Sequence, residues 1–376
     1  MFSYDEYRQR LDNCFRNRRF TMSMSEDERS SIIAELQCPE KNITLYQYRK
    51  CNEFSFNDFL QNQITLVHPH FFNDCFEVKP FFNLEKFVQT YRQFTIKDAR
   101  RFIGIAKNRD FTPEEIQEIG GENTALIFKF LAKKLTEENA EEKYYANFDM
   151  VQDYGLKQTA TLINTLCNSK QDETRIACFS ERYDSPIMWG HYADTGKGFC
   201  VKYILPALLG MSLCPNDNNG NCDKSESCVK SNCVKSGNNW LFPVIYCKDR
   251  PDFTNELELQ LVQTHIQLLG LNADWSNYDL LTQLKFACYK SVDWAYEREW
   301  RWIRASCTSE IPTFSPISVG IISGLYLGSN ISKEHENILK DYASKFKLPD
   351  GKNIPIFKMF IDLSEPQYKL VAMKLM

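Results

Sequence analysis

From residue 83 to residue 168 the chain carries apolar positions at helical spacing almost without a break, with charged residues between Phe, Ile and Leu. On both sides of that block the pattern changes to short β-type runs, at 43–49, 64–67, 176–179, 198–203, 243–246, 299–304, 317–327 and 354–361. A block of helices set inside a series of strands reads as α+β, a central mixed sheet with a large helical insertion. Further helical periodicity occurs at 4–15, 26–36, 185–193, 254–270, 277–295 and 333–346. Several starts carry their own signals: Ser25-x-x-Glu28 is a capping box, and Thr112-Pro113-Glu114-Glu115 and Pro186 open helices. Ser55-Phe56-Asn57-Asp58 offers caps for a short helix between the first two strands. The organisation expected is a helical extension over 1–40, then one α+β domain over 41–376 with the insertion at 83–168.

Residues 214–239 are rich in Asn, Ser, Lys and Cys and nearly free of large apolar groups, which predicts a flexible surface loop. Its four cysteines, Cys214, Cys222, Cys228 and Cys233, contain no Cys-x-x-Cys knuckle, so no metal is expected there. The other cysteines are scattered through apolar stretches and read as reduced core residues. No apolar run has the length of a bilayer span and the start lacks a signal-peptide plan, so a cytoplasmic protein is expected. The formal net charge of -4 gives no general attraction for nucleic acid or membrane. Two small basic clusters, Arg16/Arg18/Arg19 and Arg100/Arg101, read as solvated helix faces.

Three segments concentrate polar groups beside aromatic ones. In Pro69-His70-Phe71-Phe72-Asn73-Asp74-Cys75-Phe76-Glu77, Asn73 and Asp74 are suited to a tight turn at a strand end, where ligand sites often lie. Cys178-Phe179-Ser180-Glu181-Arg182 leads into Met188-Trp189-Gly190-His191-Tyr192-Ala193. There His191 is either a hydrogen-bonded member of an aromatic cluster or a group that orients a ligand or moves a proton. The third is Trp294-Ala295-Tyr296-Glu297-Arg298-Glu299-Trp300-Arg301-Trp302. As a strand it places Glu297, Glu299 and Arg301 on one face, between indoles that make the surroundings partly dry. The plain alternative is a surface Glu299–Arg301 pair of small energetic consequence. Phosphate loops, dinucleotide fingerprints, nucleophile elbows and His-Glu-x-x-His helices are absent from the sequence.

Together with Leu45-Tyr46-Gln47-Tyr48-Arg49, these motifs resemble the bacterial domain-of-unknown-function 2971 family over roughly residues 43–372. The resemblance rests on the first strand, Phe72-Asn73-Asp74, the 178–193 block with Gly198-Phe199-Cys200, and the closing 296–301 motif. Gln47, where the family often has Arg, and Cys75, where it usually has Pro, depart from the pattern. The family name carries no activity.

The order Tyr46-x-x-Arg49, Phe179-x-x-Arg182, Pro186-x-Met188 and a late strand Glu is also similar to ADP-ribosyltransferases of the kind that modify DNA. That similarity implies an enzyme splitting NAD at the nicotinamide–ribose bond, with NAD as substrate and a protein or nucleic acid as acceptor. It implies Glu299 as the carboxylate facing an oxocarbenium-like transition state and Glu297 as the acid that assists the acceptor. Tyr46 or Tyr48 with Arg49 would be the first-strand ligands, and Tyr192 or Trp189 the aromatic wall. Asn73, Asp74, Ser180, Arg182 and Arg301 complete the expected binding set, and His191 is expected as a third catalytic residue with Glu299 and Glu297. A toxin or phage-defence role fits such an enzyme. The rivals are an NAD glycohydrolase with water as acceptor, and a non-catalytic module binding a nucleotide or partner. An enzyme needs Glu299 and Arg49 in one cleft; a module does not.

Overall fold

The computed structural model describes residues 3–137, 139–207, 238–268, 274–305, 312–317, 320–364, 366 and 368–375. The chain opens with two helices, α1 (Tyr4–Asn17) and α2 (Glu26–Leu36). The Ser25/Glu28 capping box is formed, each side chain meeting a free backbone N–H of the first turn. Helix α1 buries Tyr7, Leu11, Cys14 and Phe15, one stripe at helical spacing. Strand β1 (Asn42–Arg49), helix α3 (Glu53–Leu60) and strand β2 (Ile64–Val67) follow. The cap of α3 lies earlier than the sequence suggested. Asn52 accepts from the Ser55 N–H, while Ser55 and Asp58 are buried inside the helix.

The helical block comprises α4 (Leu84–Arg92), α5 (Ile96–Asn108), α6 (Pro113–Glu118), α7 (Glu122–Lys134), α8 (Ala140–Ala146) and α9 (Phe148–Asp172). It has an apolar cluster of its own around Phe102, Ile103, Phe128 and Phe148, apart from the main core. None of the described helices is long and apolar enough to cross a membrane. The basic clusters sit on helix surfaces in local pairs: Arg16 with Asp12, Arg18 with Glu35 and Arg101 with Glu118.

After β3 (Thr174–Ser180), α10 (Pro186–Tyr192) and β4 (Phe199–Pro206), three sequence expectations need correction. The loop at 214–239 lies outside the described residues except for its last two, which open β5 (Asn238–Pro243). Asn239 is fully buried there and accepts from the Trp302 indole N–H at 3.1 Å. The run at 243–246 is not one strand but the end of β5 and the start of β6 (Ile245–Cys247), and α11 (Thr254–Leu268) follows. The single helix expected over 277–295 is instead α12 (Thr282–Cys288), β7 (Tyr289–Ser291) and a 3₁₀ turn, Val292–Glu297. All seven residues of α12 are buried, so no exposed face continues it. Pairing of β7 with β6 then captures the chain as a strand.

The end of the described chain runs β8 (Glu299–Ala305), β9 (Phe314–Ile317), β10 (Ile321–Leu327), α13 (Lys333–Ala343), β11 (Ile356–Ile361) and β12 (Leu370–Lys374). A break at Gly320, whose φ is +85°, separates β9 from β10 where one run was expected.

Ten of the described strands form one mixed sheet, its main path β12-β11-β10-β4-β1-β3-β2-β9, with β8 and then β5 attached to β3. The β10–β11 pair is parallel and the other pairs in this sheet are antiparallel. Strand β8 occupies one edge of β3 along its whole length. The other edge is divided: β1 meets it at Tyr46↔Ser180 and β2 at Val67↔Ile176. The two strands therefore splay apart, and the sheet forks. Inside the fork, the Gln47 side-chain amide takes over from a neighbouring strand and donates to the Cys178 carbonyl at 3.4 Å. Gly198 closes the β1–β4 end, where a Cβ would stand 2.1 Å from the Arg49 carbonyl oxygen.

Candidate functional site

The fork is the mouth of a cleft of about 540 Å³. Consecutive residues of β1, Tyr46 to Arg49, line it, as do consecutive residues of β3 from Ile176 to Ser180, so it opens through the sheet rather than on one face. Register places Tyr46, Ser180 and Glu299 side by side, and alternation turns Arg49 the other way. Glu299 and Arg49 nevertheless line this same cleft, because it occupies the gap between β1 and β2.

Its head is a buried cluster of three carboxylates and two cations. Arg301 is fully buried on β8. It holds Glu77 through two bonds of 2.5 and 2.9 Å, Glu299 through two of 2.8 and 3.2 Å, and donates to the Ala287 carbonyl at 2.6 Å. Lys290, on β7, donates to Glu297 at 2.7 Å and to Glu299 at 3.1 Å. The other oxygen of Glu297 accepts from the Tyr192 hydroxyl, and the Asn73 amide donates to that hydroxyl at 3.1 Å. Glu297 and Glu299 are 2% and 3% exposed. The plain alternative of a surface ion pair is therefore ruled out by burial.

The two acids differ electrostatically. Burial, then the charge of Glu299, pushes the Glu297 carboxyl up to about 7, against the pull of Lys290 and Tyr192. Burial also works against the Glu299 anion, but Arg301 and then Lys290 outweigh it and hold that carboxyl well below its ordinary range. Glu77 is raised, chiefly by burial. Near neutral pH, Glu299 is a fixed anion and Glu297 the group whose proton can come and go. This pairing of a fixed and a titrating carboxylate suits acid–base chemistry beside a developing cation.

Of the residues expected from sequence, Tyr46, Tyr48, Arg49, Asn73, Ser180, His191, Tyr192, Glu297 and Glu299 line the cleft. Several do so while committed elsewhere. Tyr46 packs against Tyr183 and Tyr326, and Tyr48 donates to the Arg182 carbonyl at 2.9 Å. Arg49 is tied to Asp58 at 3.0 Å and to the Gln47 side-chain oxygen at 2.6 Å, so its charge is answered within the wall. Ser180 donates to the Glu297 carbonyl at 2.7 Å, and exposed His191 makes a 3.1 Å bond with the Tyr296 hydroxyl.

Four expected residues are not on the cleft wall. Asp74 holds its own turn by accepting from the Phe76 N–H at 2.9 Å. Arg182 pairs with Asp184 on the surface. Trp189 is buried on α10, edge-on to Tyr48, and donates to the Tyr183 carbonyl at 2.7 Å. Arg301 acts from behind, through Glu299 and Glu77. Nor does the strand include Glu297. It ends the 3₁₀ turn, and Arg298, with φ +49° and ψ +46°, separates it from β8.

Sequence reasoning gave no site role to Glu77, Lys290 or Tyr246, and offered Asp58 only as a helix cap. Glu77 stood at the end of the 69–77 motif, a usable signal; Lys290 lay inside an expected helix, where nothing marked it. Tyr246 accepts from the Glu299 backbone N–H at 2.8 Å. Among the described residues no group of three or more His, Cys, Asp or Glu is placed to hold a metal ion.

No curated protein and no solved structure matches the chain. A family model described as "Protein of unknown function (DUF2971)" matches residues 188–302. That span takes in the Met188–Ala193 block, Gly198-Phe199-Cys200, Lys290 and the Glu297/Glu299 turn, and leaves out β1 and the 72–74 motif.

Proposed function

We propose that the chain is an ADP-ribosyltransferase-like enzyme that breaks the nicotinamide–ribose bond of NAD and passes the ADP-ribosyl group to a macromolecular acceptor. One observation carries this reading: two buried carboxylates of opposite electrostatic tuning share one ammonium at the head of a cleft sized for a nucleotide. With Glu77, Glu297 and Glu299 all ionised, the cluster of three acids and two cations bears one excess negative charge, which favours a cationic nicotinamide ring and ribosyl centre.

The C–N bond to nicotinamide breaks with its electron pair leaving on the ring nitrogen, which neutralises the pyridinium charge. Positive charge then develops on the ribose, facing the Glu299 anion. The acceptor's nucleophilic atom forms the new bond at the ribose carbon and yields its proton to the Glu297 carboxylate. Tyr192 orients Glu297 and, with Phe72, gives the aromatic wall in place of Trp189. With Arg49 occupied by Asp58, the diphosphate would lie towards Lys50, Asn52 and Ser55 at the start of α3, where a cation and the positive end of the helix dipole coincide.

Incubation of the protein with NAD and cell lysate, following free nicotinamide and label transferred from the adenine moiety, tests the reading. Release with transfer supports the transferase, and release with free ADP-ribose converts it to a glycohydrolase. A folded protein that binds nucleotide without releasing nicotinamide is a recognition module.

A further inference from the structure

We infer that Arg298 and Glu181 are positioning residues for the cleft, holding the turn between Glu297 and Glu299 in the one backbone shape that brings both carboxylates to Lys290. Arg298 sits in the left-handed region, φ +49° and ψ +46°, where the Cβ of an L-residue crowds the following carbonyl. Such a conformation persists at a side-chain-bearing residue only when its surroundings fix it. Here they do so on every side. The Arg298 N–H donates to the Ala295 carbonyl at 3.2 Å, and the Arg298 carbonyl accepts from the Glu181 N–H at 3.1 Å. Its guanidinium reaches Glu181 at 2.9 Å and Asp5 of α1 at 2.7 Å. The flanking residues are pinned as well, Glu297 through the Ser180 hydroxyl and Glu299 through Tyr246.

Glu181 is the hub of this arrangement. One of its oxygens takes Arg298; the other accepts from Arg8 of α1 at 2.6 Å and from the Trp300 indole at 2.8 Å. Arg8 also donates to the Val244 carbonyl at 3.0 Å, tying α1 to the segment between β5 and β6. One carboxylate, its side chain 8% exposed, therefore joins α1, the turn and β8. The residue belongs to the Cys-Phe-Ser-Glu motif, yet it does not line the cleft. Its place explains what a Glu does there.

The geometric consequence is specific. Were β8 to run straight back through Arg298, Glu297 would lie two strand positions from Glu299, roughly 6–7 Å along the strand. The left-handed residue instead ends the 3₁₀ turn and lets Glu297 meet both Lys290 and Tyr192. The effect on turnover rests on the proposed NAD chemistry, but the positioning itself does not.

The test therefore reads geometry without NAD. Carboxyl-¹³C glutamate is incorporated, the Glu297 signal is assigned by its loss in Glu297→Gln, and its titration midpoint is followed in folded variants. The native protein should titrate near pH 7. Arg298→Ala should move the midpoint down by about one unit or more, towards the ordinary value of 4.5, as the carboxylate leaves its buried setting. Arg298→Gly, which adopts the left-handed shape freely, should restore the midpoint part of the way although it lacks the guanidinium. Glu181→Gln should shift it in the same direction as Arg298→Ala, and it decides the matter if the alanine variant does not fold. Variants that melt earlier but keep the native midpoint would overturn the inference, leaving both residues as ordinary ion pairs. If the shifts appear but no variant or native protein releases nicotinamide, the positioning stands and the NAD reading fails.

Discussion

Replacing Glu299 by Gln removes one charge from the buried cluster while conserving volume and one carbonyl acceptor. Arg301 would lose two charged bonds to Glu299 but keep two to Glu77 and one to the Ala287 carbonyl; Lys290 would keep Glu297. Neither cation is orphaned, so the cost should fall below the roughly 3–5 kcal/mol of breaking an isolated buried pair. About 2 kcal/mol is expected, since the Gln NH₂ must also face one of two donors. In a chain of this size that corresponds to a fall in Tm of about 2–3 °C, read by a thermal scan. The same change removes the neighbouring charge that helps raise Glu297, so the Glu297 midpoint should drop below 7. Nicotinamide release should fall about a hundred- to a thousand-fold, mainly in kcat, because the lost charge faces the transition state rather than the bound substrate. A variant with native Tm and native release would refute the reasoning from burial and charge. Lower Tm with native release would reduce Glu299 to a structural partner of Arg301.

On the proposed chemistry, nicotinamide release by the native protein should rise with pH through about 7, as Glu297 ionises, and Glu297→Gln should abolish that inflection. Stability should run the other way. A carboxyl raised from 4.5 to about 7 holds its proton better when folded, so its contribution is full below 4.5 and is lost as pH rises through 7. The Tm difference between Glu297→Gln and the native protein should therefore move in the variant's favour from pH 5 to pH 8; the opposite trend would contradict the shift. Asp58→Asn leaves Arg49 buried without its carboxylate and should lower stability by about 3 kcal/mol in urea titration; an unchanged midpoint would mean the pair is solvated. Gly198→Ala drives a methyl into the Arg49 carbonyl and should cost at least about 2 kcal/mol, unless β1 and β4 can separate freely.

What the sequence made legible was local. The α2 capping box, β2 over Ile64–Val67, and α10 opened by Pro186 depend on near neighbours and stand where the patterns put them. The segments misjudged depend on distant ones. Strand β7 exists because β6 pairs with it, and β5 begins in polar Asn238 and Asn239 because β8 lies alongside. The site divides in the same way. Glu297, Glu299 and Tyr192 stood out beside aromatics in short motifs. Glu77 reaches Arg301 across 224 positions, and no spacing rule links them. Alternation suggested one face for Glu297, Glu299 and Arg301, but the left-handed turn at Arg298 breaks the strand pattern there. The carboxylates still converge, through Lys290 rather than through strand geometry.

The most direct measurement of the central claim is a crystal structure of the Glu297→Gln protein grown with NAD, a variant expected to bind the dinucleotide and turn it over slowly. The nicotinamide ribose should lie in the fork between β1 and β2, its anomeric carbon within about 3.5 Å of the Glu299 carboxylate. The nicotinamide ring should lie against Tyr192 and Phe72, with the diphosphate near Lys50 and the start of α3. NAD bound elsewhere, or a fork that stays empty at saturating NAD, would contradict it.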